Sequence, residues 1–174
     1  MKKFLVGLAI GFLLTPCLIY GATIFLPSQA VQPAHWVGDC LAFKAKKANE
    51  ETHSKILLLS GSNSLYGFSA SYLRDRYHLR ILNLGSHAGL GRRYILSYGL
   101  SLAQKGDLVI VPLEYALYGK ERYENTLSLQ VLVNDKAYFN QLSFVEKWHL
   151  IANINTSEWF VFARSRIHAD PDRR

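Results

Sequence analysis

Lys55-Ile56-Leu57-Leu58-Leu59-Ser60-Gly61-Ser62-Asn63-Ser64-Leu65-Tyr66-Gly67 is the stretch on which the reading of this 174-residue chain turns. An apolar run, Ile56 to Leu59, stops abruptly at small and polar residues with Ser62 in their middle. So short a run, bounded by turn residues, predicts a buried strand. A strand ending in a glycine-flanked serine exposes a hydroxyl at the carboxyl edge of a sheet. There a following helix aims its N-terminal N–H groups at developing negative charge. The plainer alternative is an ordinary strand-to-helix turn, for which Ser, Gly and Asn are simply the residues required.

Downstream, the periodicity changes. Phe68, Tyr72, Leu73 and Tyr77 share a helical face, with Arg74, Asp75 and Arg76 outward. Leu79 to Leu84 reads as a second buried strand, running into Gly85-Ser86-His87-Ala88-Gly89-Leu90-Gly91. Arg92 to Gln104 is predicted helical, and Asp107 to Val111 is a third strand cut at Pro112. Strand, helix, strand, helix, strand predicts an α/β fold with a parallel sheet, here a flavodoxin-like three-layer sandwich with a short sheet. In such sheets ligands sit beyond the carboxyl ends of the strands. Ser62, the Gly85–Gly91 loop and Glu114 all fall on that edge. The C-terminal third is less regular: Leu127 to Val133 suits helix or strand, Gln141 to Ile151 reads as helix, and Glu158 to Ile167 is apolar, then basic.

Upstream, Met1-Lys2-Lys3 precedes an uncharged stretch from Phe4 to about Leu26. Roughly 23 residues rising about 1.5 Å each would cross about 30 Å of hydrocarbon. Lysines before the stretch and none directly after it predict a cytoplasmic N-terminus. A cleaved signal peptide is the rival. The length of the run and the lack of a small-x-small site favour a single-pass anchor over residues 1–27. Residues 28–54 then hold a Pro27–Pro33 linker and an amphipathic helix, His35 to about Asn49, with Trp36, Val37, Cys40, Leu41 and Phe43 at helical spacing.

Of the net charge of +7, two units come from Lys2 and Lys3. Lys44, Lys46 and Lys47 cluster without the interleaved aromatics of a nucleic-acid groove, so no nucleic-acid partner is expected. Cys17 and Cys40 fall in different segments and offer neither a disulfide nor metal spacing, so neither metal nor cofactor is predicted.

Ser60-Gly61-Ser62-Asn63-Ser64-Leu65-Tyr66-Gly67 resembles the first sequence block of the SGNH/GDSL hydrolases, with Ser62 at the nucleophile position. Asn83-Leu84-Gly85-Ser86-His87-Ala88-Gly89 resembles their second block, whose glycine gives an oxyanion-binding N–H; Gly89 matches best and Gly85 second. With Gly106 to Tyr115, the pattern over Trp36 to Tyr118 is similar to a membrane-anchored bacterial group related to surface-polysaccharide acyl-modifying proteins. The resemblance implies an SGNH-like domain over 55–174. It further implies a serine esterase or O-acyltransferase on envelope or extracellular glycans, held at the inner membrane with its domain outside. Asn63 and Gly85 would contact substrate.

The departures from the pattern are specific. Gly61 replaces the aspartate that usually precedes the nucleophile. Pro112-Leu113-Glu114-Tyr115 stands where Gly-x-Asn-Asp is expected. No Asp-x-x-His follows near the C-terminus; Ser165 to Asp172 does not match, and Asp75–His78 precedes the second strand. The domain is therefore read as incomplete at its C-terminus. A serine hydroxyl needs a base within about 3 Å; His87 and Glu114 are the candidates on the right edge. The alternative function is a non-catalytic SGNH-like module, degenerate or truncated, that binds a glycan or an envelope partner.

Overall fold

The computed structural model describes residues 35–119 and 125–154 continuously, with further positions at 3–8, 10–12, 14, 18, 156 and 159. Three short parallel strands, β1 (Ile56–Leu58), β2 (Ile81–Asn83) and β3 (Leu108–Ile110), form a sheet in the order β2-β1-β3. Ile56 pairs with Ile81 on one side and Leu108 on the other, so all three strands run in step. The chain is thus a mixed α/β structure built on a small parallel sheet.

The helices are α1 (His35–Glu50), α2 (Ser62–Gly67), α3 (Ala70–Tyr77), α4 (Arg92–Ser101), α5 (Asn125–Asn134), α6 (Lys136–Gln141) and α7 (Phe144–Ala152). Two 3-10 turns, Ala88–Leu90 and Tyr115–Tyr118, follow β2 and β3. The expected strands, the α1 span and the α4 start agree with the structure to within a few residues. The ambiguous run Leu127–Val133 is helical and buried from end to end.

Two cores are joined by α4. On the sheet side, Leu57, Leu59 and Leu84 pack with Leu82, Leu96, Leu102 and Val109. On the other, Tyr94 and Ile95 enter a larger cluster with Val37 and Leu41 of α1, the buried length of α5, Tyr138 and Phe139 of α6, and Leu150 of α7. At about 25 cal/mol per Å² of apolar surface, this helical cluster holds most of the burial energy. Two expectations meet different packing. The Phe68/Tyr72/Leu73/Tyr77 face is not a core face, because α3 buries none of its residues and Tyr72 and Tyr77 lie open. On β3, Leu108 (57%) and Ile110 (42%) also remain exposed, although Val109 is covered.

Beneath the sheet, Lys55 and Asp107 pin the starts of β1 and β3 together. Their side chains are 0% and 1% exposed, with Nζ 3.0 Å from Oδ2. Asp107 Oδ1 also accepts from Lys55 N (3.0 Å), and Oδ2 accepts from Gln104 N (2.9 Å).

Residues 3–8 and 10–12 are helical, and Phe4, Leu5, Val6, Leu8, Ile10 and Phe12 are all exposed. Among the described residues no helix is long and apolar enough to cross a membrane. The expected anchor at 1–27 falls partly outside the described residues, and the linker at 28–34 entirely so. The stretch at 160–174, including the Ser165–Asp172 tail, falls outside them entirely.

Candidate functional site

The turn that ends β1 does not stay extended up to Ser62; helix α2 begins on that residue. A six-residue helix has too few internal hydrogen bonds to hold itself. Side chains from the two neighbouring strand ends hold it instead. At its N-terminus, Glu114 accepts from Gly61 N (3.2 Å), Asn63 N (2.9 Å) and Ser62 Oγ (3.2 Å). A carboxylate there satisfies N–H groups that lack helical partners and faces the positive end of the peptide dipoles. Beyond its first turn, Asn83 Nδ2 donates to Ser64 O (2.7 Å) and Phe68 O (2.9 Å).

Glu114 reaches this place because Pro112 and Leu113 continue past β3, and two bonds fix that continuation. Asn63 Nδ2 and the buried Ser60 hydroxyl both donate to Pro112 O, at 2.9 and 2.6 Å. Glycine at 61 belongs to the same arrangement. A Cβ built there would land on the Glu114 carboxylate, so the glycine and the glutamate occupy one volume between them.

The second loop meets the turn through backbone pairing that outlasts the strands. Leu84 N donates to Leu58 O and Ser86 N to Ser60 O, both at 2.9 Å. The two glycine amides of this loop are engaged within it. Gly85 N donates to Asn83 Oδ1 (2.9 Å), and Gly89 N donates to His87 Nδ1 (3.0 Å). Because Nδ1 accepts, a neutral His87 carries its proton on Nε2. The His87 ring lies edge-on to Trp36 of α1, with centroids 6.1 Å apart. Lys44, also on α1, donates to Gly85 O, and burial pushes its ammonium below the ordinary lysine value.

Of the residues singled out from the sequence, Ser62, Asn63 and Glu114 are brought into direct contact. Gly85 and Gly89 sit buried in the adjoining loop. Glu114 is the side-chain partner of Ser62 among the described residues, and His87 faces Gly89 and Trp36. Arg92 Nη1 donates to Leu117 O (3.2 Å), and Arg93 pairs with Glu146. Asp75 and His78 are exposed on α3, where His78 is its left-handed C-cap (φ 54°). Among the described residues, no three His, Cys, Asp or Glu side chains converge as a metal site requires.

Asn83 and Lys44 position the site but were not picked out from the sequence. Their partners lie 15 to 41 residues away along the chain, and no local pattern records such a pairing. Comparison with family models, with curated proteins and with solved structures gave no match.

Proposed function

We propose that this chain is a membrane-anchored SGNH-like module of the bacterial envelope that binds glycan through the Ser62 edge of its sheet without cleaving an acyl ester. One observation carries the non-catalytic reading: Glu114 accepts from the Ser62 hydroxyl and from the Gly61 and Asn63 amides on either side of it. A hydrolase serine needs a base that gains basicity and N–H groups that wait empty for the oxyanion. Here Gly61 N and Asn63 N already donate to the carboxylate. Those two amides are therefore not free to meet an oxyanion. The Gly89 amide is turned to His87.

The same contact accounts for two departures from the SGNH pattern. With a carboxylate arriving from the end of β3, a side chain at 61 has no room, and the carboxylate beside the serine comes from 114 instead. The order β2-β1-β3 supports a flavodoxin-like sheet. The exposed apolar helical residues between 3 and 12 support an N-terminal membrane anchor, and the lysines that precede the apolar stretch support an outer placement of residues 35 onward.

A second reading, a serine esterase or O-acyltransferase, is favoured by one feature. Ser62 is partly exposed, and its hydroxyl donates directly to a carboxylate. The two readings separate in a single preparation of the full chain in detergent, offered an O-acetylated polysaccharide. The binding reading predicts retardation on the polysaccharide in affinity electrophoresis, with acetate release no faster than for Ser62→Ala. Acetate release that depends on Ser62 would establish the enzyme.

A further inference from the structure

Beside the Ser62–Glu114 contact lie aromatic rings that the fold leaves uncovered. Tyr115, next to Glu114, is 94% exposed; Tyr66, one turn after Ser62 on α2, is 78% exposed; Tyr118 is 61% exposed. Their placement follows from local geometry. Residues i and i+4 of a helix share a face, so Tyr66 stands on the Ser62 side of α2. Residues i and i+3 of a 3-10 turn eclipse, so Tyr115 and Tyr118 stack along one side of theirs. Glu114 joins the two elements, because it caps α2 and directly precedes the 3-10 turn.

The polar groups of the Ser62–Glu114 contact are chiefly acceptors. Glu114 Oε1 accepts from two donors and Oε2 from one, and the Ser62 hydroxyl spends its proton on Glu114. Asn63 Oδ1 accepts from Ser60 Oγ and Ser64 N, and Nδ2 donates one of its two N–H groups to Pro112 O. Acceptor capacity therefore remains on Glu114 Oε2 and Ser62 Oγ, with the glutamate negative. Nearby cations are tied elsewhere: Arg92 is held at Leu117 O, Arg93 at Glu146 and Lys44 at Gly85 O.

We infer that Tyr66, Tyr115 and Tyr118 form a stacking platform for a neutral sugar ring whose hydroxyls donate to Glu114 and Ser62, and that anionic sugars are disfavoured there. A pyranose offers an apolar C–H face to an aromatic ring and hydroxyl donors at its rim, matching rings with acceptors between them. A uronate or phosphorylated sugar would set a second negative charge against Glu114. This inference rests on the glycan-binding reading and specifies the class of sugar.

The test is binding of the full chain in detergent to an array of neutral hexose oligosaccharides and uronate oligosaccharides. The wild type is compared with Tyr115→Ala, Tyr66→Ala and, as a control ring on α3, Tyr72→Ala. All three tyrosines are exposed, so the variants keep the fold. The inference expects neutral oligosaccharides to bind, at least tenfold loss in Tyr115→Ala or Tyr66→Ala, and no change in Tyr72→Ala. Binding that ignores both site tyrosines, or that prefers uronates, overturns the platform and leaves the glycan reading standing. If no oligosaccharide of either kind binds, both fall.

Discussion

At Glu114 one carboxylate gathers three donors from the turn that follows β1, and removing its charge has a definite cost. Hydrogen bonds to an ionised acceptor are worth about 1.5–3 kcal/mol, and an unmet buried donor costs about 1–3 kcal/mol. Glu114→Gln keeps the shape but faces an amide N–H₂ toward some of those donors. It is expected to lose about 1–3 kcal/mol, read as a lower urea midpoint at unchanged slope. Gly61→Ala puts a methyl group on the carboxylate and should destabilise as well. The double variant Gly61→Ala, Glu114→Ala relieves that clash, so its loss should be smaller than the sum of the single losses. Additive losses would mean that the two residues do not share the volume. Glu114 was visible in the sequence as a carboxylate at a strand end, and capping is a common task for one. Which helix it caps was not visible, because Gly61, Ser62 and Asn63 lie 51 to 53 residues away.

Helix α4 shows how packing overrides propensity. Gly99 lies in its last turn, where alanine would ordinarily still be preferred to glycine by up to about 1 kcal/mol. The methyl group would strike Leu59, which is fully buried in the sheet core and cannot yield. Overpacking costs about 1–3 kcal/mol, so Gly99→Ala is expected to lower the thermal midpoint. A raised midpoint would show that Leu59 has room to move. At this scale the strands were legible from composition, since Ile56–Leu59 and Leu79–Leu84 are short, apolar and bounded by turn residues. Leu127–Val133 was not, because Leu127-Ser128-Leu129-Gln130-Val131 alternates with the two-residue period of a strand, while the helix it forms is buried on every side, Ser128 and Gln130 included. The face assigned to Phe68, Tyr72, Leu73 and Tyr77 failed for the opposite reason: the period is present, but Phe68 and Leu73 are only partly covered and the two tyrosines lie open. Tyrosines tolerate that exposure because they carry a polar tip.

Across the whole molecule, the buried Lys55–Asp107 pair ties the outer strand to the central one. Burial opposes the charge on Asp107. The Gln104 N–H, then the Lys55 side chain and N–H, outweigh it and hold the carboxyl below its ordinary value of 3.8. As pH falls, the unfolded chain takes up this proton before the folded one. The stability Asp107 contributes is therefore complete above that ordinary value and is lost as pH drops below it, through the folded value. Asp107→Asn should be less stable at neutral pH and show a shallower acid loss in urea melts between pH 5 and 2. An unchanged acid limb would remove Asp107 from the account. The α/β layout could be read in the chain because strand, helix and strand alternate locally. The state of the site could not, because it depends on contacts between β3, α2 and the loop after β2. We propose that Glu114 closes the Ser62 turn and leaves this serine without a nucleophile's reactivity. Intact-mass spectrometry of the folded full chain after exposure to a fluorophosphonate tests it most directly. The account predicts no adduct beyond that found with Ser62→Ala, and stoichiometric modification of Ser62 would contradict it.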